Sequence, residues 1–344
     1  MPRPPPITLQ DIATRAGVSK MTVSLALRGH PHAAAKTQER IRALAAEMGY
    51  RPNPLVVANM AQLRAGRRSS YAGTIAFLGP GKSPEPVALG AHNGNIFTGA
   101  RRRAESLGYQ LKWFSLAQGI TGSRLSSILK ARGIFGVVLS TDLLLPDGQQ
   151  LDWSQFALAA TGRTEIGHEI HRTTGDYYRA IREACQRCRD RGYRRIGLAI
   201  SREHDTAHQG LHRSAMLGCQ HDWPEEDRVP VWIGDPWSVT TFTAWWRRHR
   251  PDVVIASSDE PLFWLRASGR RVPEDVGFLR PHVANRELGA CGFLFDEAEI
   301  GGAAVDLVVE QLNHNERGIP KVVKRVLLPG RWYEGQSLRP ARSI

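Results

Sequence analysis

Acidic residues are in short supply in this chain: 33 Asp and Glu stand against 46 Lys and Arg, a net charge of +13 over 344 residues. That balance argues for a polyanionic partner. Cysteine is scarcer still. Four thiols, at 185, 188, 219 and 291, do not make a disulfide scaffold and point to a reducing compartment. No apolar run approaches the ~20 residues of a membrane-crossing helix. No charged leader followed by an apolar stretch opens the chain, so the expected location is the cytoplasm. A G-x-G-x-x-G turn is absent as well, which disfavours a dinucleotide enzyme.

What is present concentrates near the start. Residues 8–28 read as two short helices joined by a tight turn. Thr8 is placed as an N-cap, with Asp11 three residues on, suited to a capping box and to the positive end of the helix dipole. Leu9, Ile12, Ala13 and Ala16 recur at helical spacing and form one apolar stripe. Gly17 permits the positive φ that ends a helix, and Val18 plugs the corner. Ser19 is a second N-cap, opening a helix from Lys20 to about Leu27. Val23, Ala26 and Leu27 face inward in it, leaving Lys20, Met21, Ser24, Leu25 and Arg28 outward. Gly29 and Pro31 stop the element. Ile41, Leu44, Ala45 and Met48 then close a three-helix core.

Charge separates this unit from an arbitrary helical bundle. Residues 1–70 carry 11 Lys and Arg against three acids, an excess of eight, while the whole remainder carries an excess of five. Phosphate binding requires such local concentration.

The segment Thr8-Leu9-Gln10-Asp11-Ile12-Ala13 through Ala16-Gly17-Val18-Ser19 and Thr22-Val23-Ser24 resembles the head of the LacI/GalR family of bacterial repressors. Those heads read like T-L-x-D-[IV]-A-x-x-A-G-V-S-x-x-T-V-S. The likeness continues through Ala35-Lys36-Thr37 and Gly49-Tyr50-Arg51-Pro52-Asn53. It implies a helix-turn-helix whose second helix enters the DNA major groove. Lys20, Met21 and Leu25 then fall at base-reading positions. Lys20 can donate to guanine, whereas Met21 and Leu25 offer only apolar contact, most naturally to thymine methyls. Many relatives carry Arg where Leu25 stands, and a half-inward Leu25 serving the core is the alternative. Thr8, Ser19, Thr22, Ser24, His32, Tyr50 and Asn53 match positions that hold phosphates, contacts that set register without reading sequence. Ala34 replaces a frequent capping Ser.

The next stretch, residues 53–68, matches the family's hinge helix, which pairs with its dimer mate and wedges an apolar side chain into the minor groove. Asn59 occupies the place of an expected leucine. Met60 is the first choice for the wedge, with Leu63 nearby, and an ordinary connecting helix is the plainer alternative.

After Ser70 strands and helices alternate: strands at 74–78, 111–114 and 134–139 with helices at 96–107 and 123–132. A second series follows, with helices at 176–191, 239–248 and 261–268 and strands at 195–200, 229–233, 252–256 and 276–279. Apolar strands joined by helices imply parallel sheets covered on both faces. The expected fold is therefore α/β. A small all-α helix-turn-helix head (1–53) and a hinge (54–70) precede a two-lobed periplasmic-binding-protein-like body (71–344), which binds an effector and dimerises. The resemblance places Asp296, Ser258 and Asp259 on the effector cleft. Asp259 stands in the family's Asn/Asp pair with Ser258 in place of the Asn, and around His204 to Arg213 the family's cleft arginine is absent or displaced. A loop Asp is also a common turn residue.

Two further signals read as structural. Gly79-Pro80-Gly81-Lys82-Ser83 resembles the end of a phosphate-binding loop, but Ala76 occupies the first required glycine and Pro84 disfavours helical geometry at Ser83. Cys185-x-x-Cys188 and the series His204, His208, His212 offer metal-ligand types. A zinc site is conceivable, but no second pair completes a known set; buried or surface thiols and solvated histidines are the favoured reading, with no metal and no cofactor. The chain is thus expected to be no enzyme. It reads as a homodimeric transcriptional regulator, a repressor whose grip on near-palindromic operator DNA is modulated by a small molecule such as a sugar, bound to the nucleoid when engaged. A solute-binding receptor on the same body is the alternative, and an activator on this scaffold would look the same.

Overall fold

The computed structural model describes residues 9–27, 34–48, 50, 73–81, 91–115, 120–141, 143, 145, 150–164, 166–284 and 286–340. The head consists of α1 (Leu9–Ala16), α2 (Lys20–Leu27) and α3 (Ala35–Glu47). Its core is small and fully closed: Ile12, Val23, Ala26 and Ile41 are wholly buried, and Ala13 and Ala45 nearly so. The α1–α2 corner forms as the sequence demands. Gly17 takes φ +65°, its N–H donates to Thr14 O and the Val18 N–H donates to Ala13 O, a Schellman arrangement that satisfies the last carbonyls of α1. Ser19 Oγ accepts the Thr22 N–H at 3.0 Å and so caps α2. Ala34 sits in extended geometry ahead of α3 with no side-chain cap, a place where Ser, Thr, Asn or Asp contributes about 1 kcal/mol.

The chain divides into two compact units, residues 1–173 with 298–325 and residues 174–297 with 326–344, and passes from one to the other three times. Beyond the head, one six-stranded sheet is built on β1 (Gly73–Leu78), β2 (Tyr109–Phe114), β3 (Gly136–Leu139), β4 (Ala157–Thr161) and β5 (His171–Gly175), with β11 (Arg325–Leu328) at one edge. Strand order is β11-β5-β4-β3-β1-β2, and the pairs β2–β1–β3–β4–β5 are parallel. Ile75 to Leu78 and Val137 to Leu139 are buried on both faces, as continuous apolar strands of a covered parallel sheet must be. Helices α4 (Ala91–Ser106) and α5 (Gly122–Ala131) join these strands, and α11 (Glu297–His314) lies against α4. That last contact is close. A Cβ on Gly301 would stand 2.0 Å from Ile96 O, and one on Gly99 2.1 Å from Ala298 O, so only glycine lets the two backbones meet.

The second unit repeats the plan with β6 (Ile196–Ser201), β7 (Trp232–Gly234), β8 (Val253–Ala256), β9 (Gly277–Arg280), β10 (Cys291–Leu294) and β12 (Arg331–Tyr333). The order is β12-β10-β9-β8-β6-β7, parallel except for β10–β12. Its helices are α6 (Tyr177–Asp190), α7 (Arg202–Ala207), α8 (Leu211–His221), α9 (Val239–His249) and α10 (Glu260–Ala267). Trp232, Phe242, Trp245, Val254, Leu262 and Phe278 fill the space under α9 and α10.

Several elements differ from the sequence expectation. Strands β4, β5, β10, β11 and β12 and helices α7, α8 and α11 are additional, and the strand expected at 229–233 shrinks to three residues. Among the described residues no helix is long and apolar enough to cross a membrane.

Candidate functional site

The head presents one side of α2 to solvent. Lys20 is exposed and Met21 is 68% exposed, because Val23 and Ala26 take the inward positions of this eight-residue helix. Ser24 is half-buried. Leu25 is half-buried too and packs against the head core instead of standing fully outward as its place in the pattern suggested. The short helix is wrapped on two sides, by α1 and by α3, so a rim position is drawn inward. Ser19 and Thr22 share a hydroxyl–hydroxyl bond of 2.9 Å at the start of α2, and Ser19 spends a lone pair on its cap. Tyr50 follows α3 with its ring against the core, where burial raises its pKa. Arg40 Nη2 donates to Ala16 O at 3.0 Å and pins α3 to the end of α1. Thr8, Arg28, His32, Asn53, Asn59, Met60 and Leu63, with the arginines at 64, 67 and 68, lie outside the described residues.

In the second unit, several of the side chains expected at the effector cleft lie where the parallel strands end. Carboxyl ends of parallel strands are the usual ligand-binding edge of α/β sheets. Ser258 and Asp259 follow β8, Arg280 ends β9, and Phe295 and Asp296 follow β10. Asp259 is not an isolated loop acid. Its Oδ1 accepts from Arg280 Nη1 at 2.6 Å, and Arg280 is only 8% exposed. Burial pulls the Arg280 pKa down, while Asp259 and Glu260 pull it back up. Arg280 Nε and Ser258 Oγ are buried with no hydrogen-bond partner among the described residues. Asp296 is exposed. Thus Ser258, Asp259 and Arg280 form one polar group on neighbouring strand ends. The arginine in it is one that sequence reasoning missed, since only the β8–β9 pairing brings positions 259 and 280 together.

The same unit holds a ring cluster. Tyr177, at the start of α6, lies 4.8 Å from Phe295, 5.7 Å from His212, 5.8 Å from His208 and 6.4 Å from His282, centroid to centroid. The expectation of solvated histidines fails here: His212 is 3% exposed, and His204 and His208 are half-buried. Nor do the three share one helix face. Gln209 (φ +52°) and Gly210 (φ +69°) break the chain between α7 and α8, and the turn folds the rings onto one another.

The other chemical motifs resolve into packing. All four cysteines are buried, and Cys185 and Cys188 lie on the covered side of α6, where burial pushes the Cys188 thiol up. The turn after β1 is a seat for Trp113: a Cβ on Gly79 would meet the indole at 2.1 Å, and Trp113 Nε1 donates to Gly81 O. Lys82 and Ser83 lie outside the described residues.

Known proteins share parts of this sequence and its fold. A sequence profile described as "Bacterial regulatory proteins, lacI family" matches residues 8–53, and one described as "Periplasmic binding protein-like domain" matches 185–338. The chain is 30% identical over 288 residues to the HTH-type transcriptional regulator CelR of Thermobifida fusca, covering 78% of this chain and 80% of that protein. It is 36% identical over 103 residues to the lactose operon repressor of Escherichia coli (strain K12), covering 30% of this chain and 25% of that one. Among solved structures, a transcriptional regulator CelR–cellobiose complex superposes with a TM-score of 0.55 at 23% identity, over 96% of this chain and 99% of that one. The lac repressor dimer bound to operator and the anti-inducer ONPF gives 0.55 at 19%, over 97% and 99%. At these identities the structural likeness speaks for the fold alone.

Proposed function

The chain belongs to the lacI family of DNA-binding bacterial transcriptional regulators, and on that premise we propose that it is a homodimeric repressor released from or held on its operator by a small sugar. The observation that carries the DNA half is the exposed face of α2, with Lys20 and Met21 on a closed three-helix core. A rigid helix whose outward side carries a long donor and a flexible apolar chain is suited to base edges in the major groove. We assign base reading to Lys20 and Met21, with Leu25 contributing through the part of its side chain that the core leaves uncovered. Phosphate contacts go to Thr8, Ser19, Thr22, Ser24, His32, Tyr50 and Asn53. The hinge, 54–70, brings Asn59, Met60 and Leu63 to the minor groove, between a head at 1–53 and a body at 71–344.

The effector half rests on chemistry at the strand ends of the second unit. Sugars are held by charged groups that donate and accept in fixed directions and by flat rings beneath their C–H faces. Asp259, Arg280 and Ser258 supply the first, with two buried polar atoms available to a ligand, and Tyr177 and Phe295 supply the second. To Asp296, exposed just after β10, we assign a place at the rim. That a structural relative is a cellobiose complex makes a β-linked disaccharide the first candidate. No catalytic role is assigned, and the protein works in the cytoplasm on nucleoid DNA.

The DNA reading is tested by substituting Lys20→Ala and, separately, Arg67 and Arg68 together. The first should relax preference at one base pair, by about 1–3 kcal/mol of discrimination; the second should weaken all duplexes and flatten the salt dependence. Equal loss on specific and random DNA in the Lys20 variant would contradict the base-reading role.

A further inference from the structure

We propose that His204, His208 and His212 form a binding site for one divalent transition-metal ion, with three imidazole ligands and an open coordination position for water or an oxygen-bearing ligand. Their potential ligand nitrogens all lie within 4.8 Å of one another. Zinc–nitrogen bonds of about 2.0–2.1 Å bring ligand nitrogens closer together than this, so small rotations of the three rings complete the set. The backbone already supplies the convergence. His204 closes the first turn of α7, His208 follows α7, and the left-handed pair Gln209–Gly210 swings His212 back over them. The ring centroids stand 4.1, 4.9 and 5.0 Å apart.

Protonation states favour ligation. His208 Nδ1 lies 3.0 Å from His204 O, and since a carbonyl only accepts, Nδ1 carries a proton and Nε2 is the nitrogen through which the neutral ring would ligate. Outer hydrogen bonds of this kind orient and fix the tautomer of metal-bound histidines. His212 Nδ1 is buried with no hydrogen-bond partner among the described residues, a cost that a metal ion removes. The group contains no carboxylate: Asp205, between the first two histidines, is engaged by Arg213 at 3.3 Å. An all-imidazole set selects zinc, copper, nickel or cobalt over magnesium or calcium. Tyr177 closes one side of the site with its ring.

The test is made on the full-length protein stripped with a chelator and titrated with Co²⁺ and Zn²⁺, read by calorimetry and by the ligand-field absorption of cobalt. One ion per protomer is expected. His204→Gln and His208→Gln, at half-exposed positions, should each weaken it by more than the roughly 10- to 100-fold that loss of an outer partner costs. His221→Gln, at an exposed histidine ending α8, should leave it unchanged. Absence of stoichiometric binding, or binding that survives both variants unaltered, would overturn the site and leave the cluster as a packing contact among rings. No DNA enters the measurement, so its outcome is separate from that of the operator reading.

Discussion

Lys20, Met21 and Leu25 show how far single residues can be read. The inward pair Val23 and Ala26 was legible from spacing alone, and it fixes the outward place of Lys20 and Met21. Leu25 was not decided by spacing, because α2 carries apolar side chains on more than one side and only the packing of α1 and α3 says which of them is covered. Buried histidines were less legible still. His171 sits in β5 with 3% exposure and accepts the Lys324 N–H on Nδ1 at 2.9 Å, a bond that needs the neutral ring. Burial, and next the charge of Lys324, lowers its pKa; His212 is lowered in the same sense. A histidine pKa depressed on folding means that the unfolded chain binds more protons below the ordinary value of about 6.5, so stability present above that pH is lost as pH falls. Around His171 stand Lys324, Glu310 and Glu316, and around His212 stand His204, His208 and Tyr177. The thermal midpoint of the metal-free protein should therefore drop between about pH 7.5 and about pH 5.5, and His171→Asn, which keeps an acceptor but cannot protonate there, should flatten the profile. A wild-type midpoint independent of pH over that window would contradict the assignment.

At the scale of elements, what the sequence revealed were those with one strong signal. β1 and β3 are unbroken apolar runs, and α1 and α6 carry single stripes. β4 was missed because Ala157-Leu158-Ala159-Ala160-Thr161 offers alanine where strands are recognised by branched and aromatic residues. β5, His171-Arg172-Thr173-Thr174-Gly175, is polar in composition, and its strand is made by pairing with β4. α11 hid for the opposite reason: it is covered on several faces, so its apolar residues show no period. Its contact with α4 gives a paired prediction. Gly301→Ala places a methyl 2.0 Å from Ile96 O and must push two helices apart, which should cost about 1–3 kcal/mol. Gly302→Ala meets only the Arg103 side chain at 3.5 Å and should be neutral or stabilising by up to about 1 kcal/mol through helix propensity. Denaturant unfolding of the two variants checks this, and equal effects would contradict the close-approach account. The strand-end site was illegible at this scale for a related reason. Asp259 meets Arg280 only through the pairing of β8 with β9, and Tyr177 meets Phe295 although the strands that precede them, β5 and β10, belong to different sheets.

For the whole molecule, local charge and one dense motif carried most of the functional reading, because DNA binding concentrates its requirements in a short segment. The groups we assign to the effector left a weaker trace, being scattered over positions 177 to 296 and drawn from the ends of several strands. A ligand at those strand ends changes operator affinity only by as much as it binds the DNA-competent and DNA-incompetent states differently. A dimer of heads further requires that the DNA site have two related halves, since operator symmetry mirrors protein symmetry. Selection of duplexes from a random pool by the purified full-length protein, at moderate fixed salt, addresses this with no prior choice of operator. The expected result is enrichment of one near-palindromic motif with two half-sites. Recovery of unenriched duplexes, bound in proportion to their abundance, would contradict the protein's role as a sequence-reading regulator.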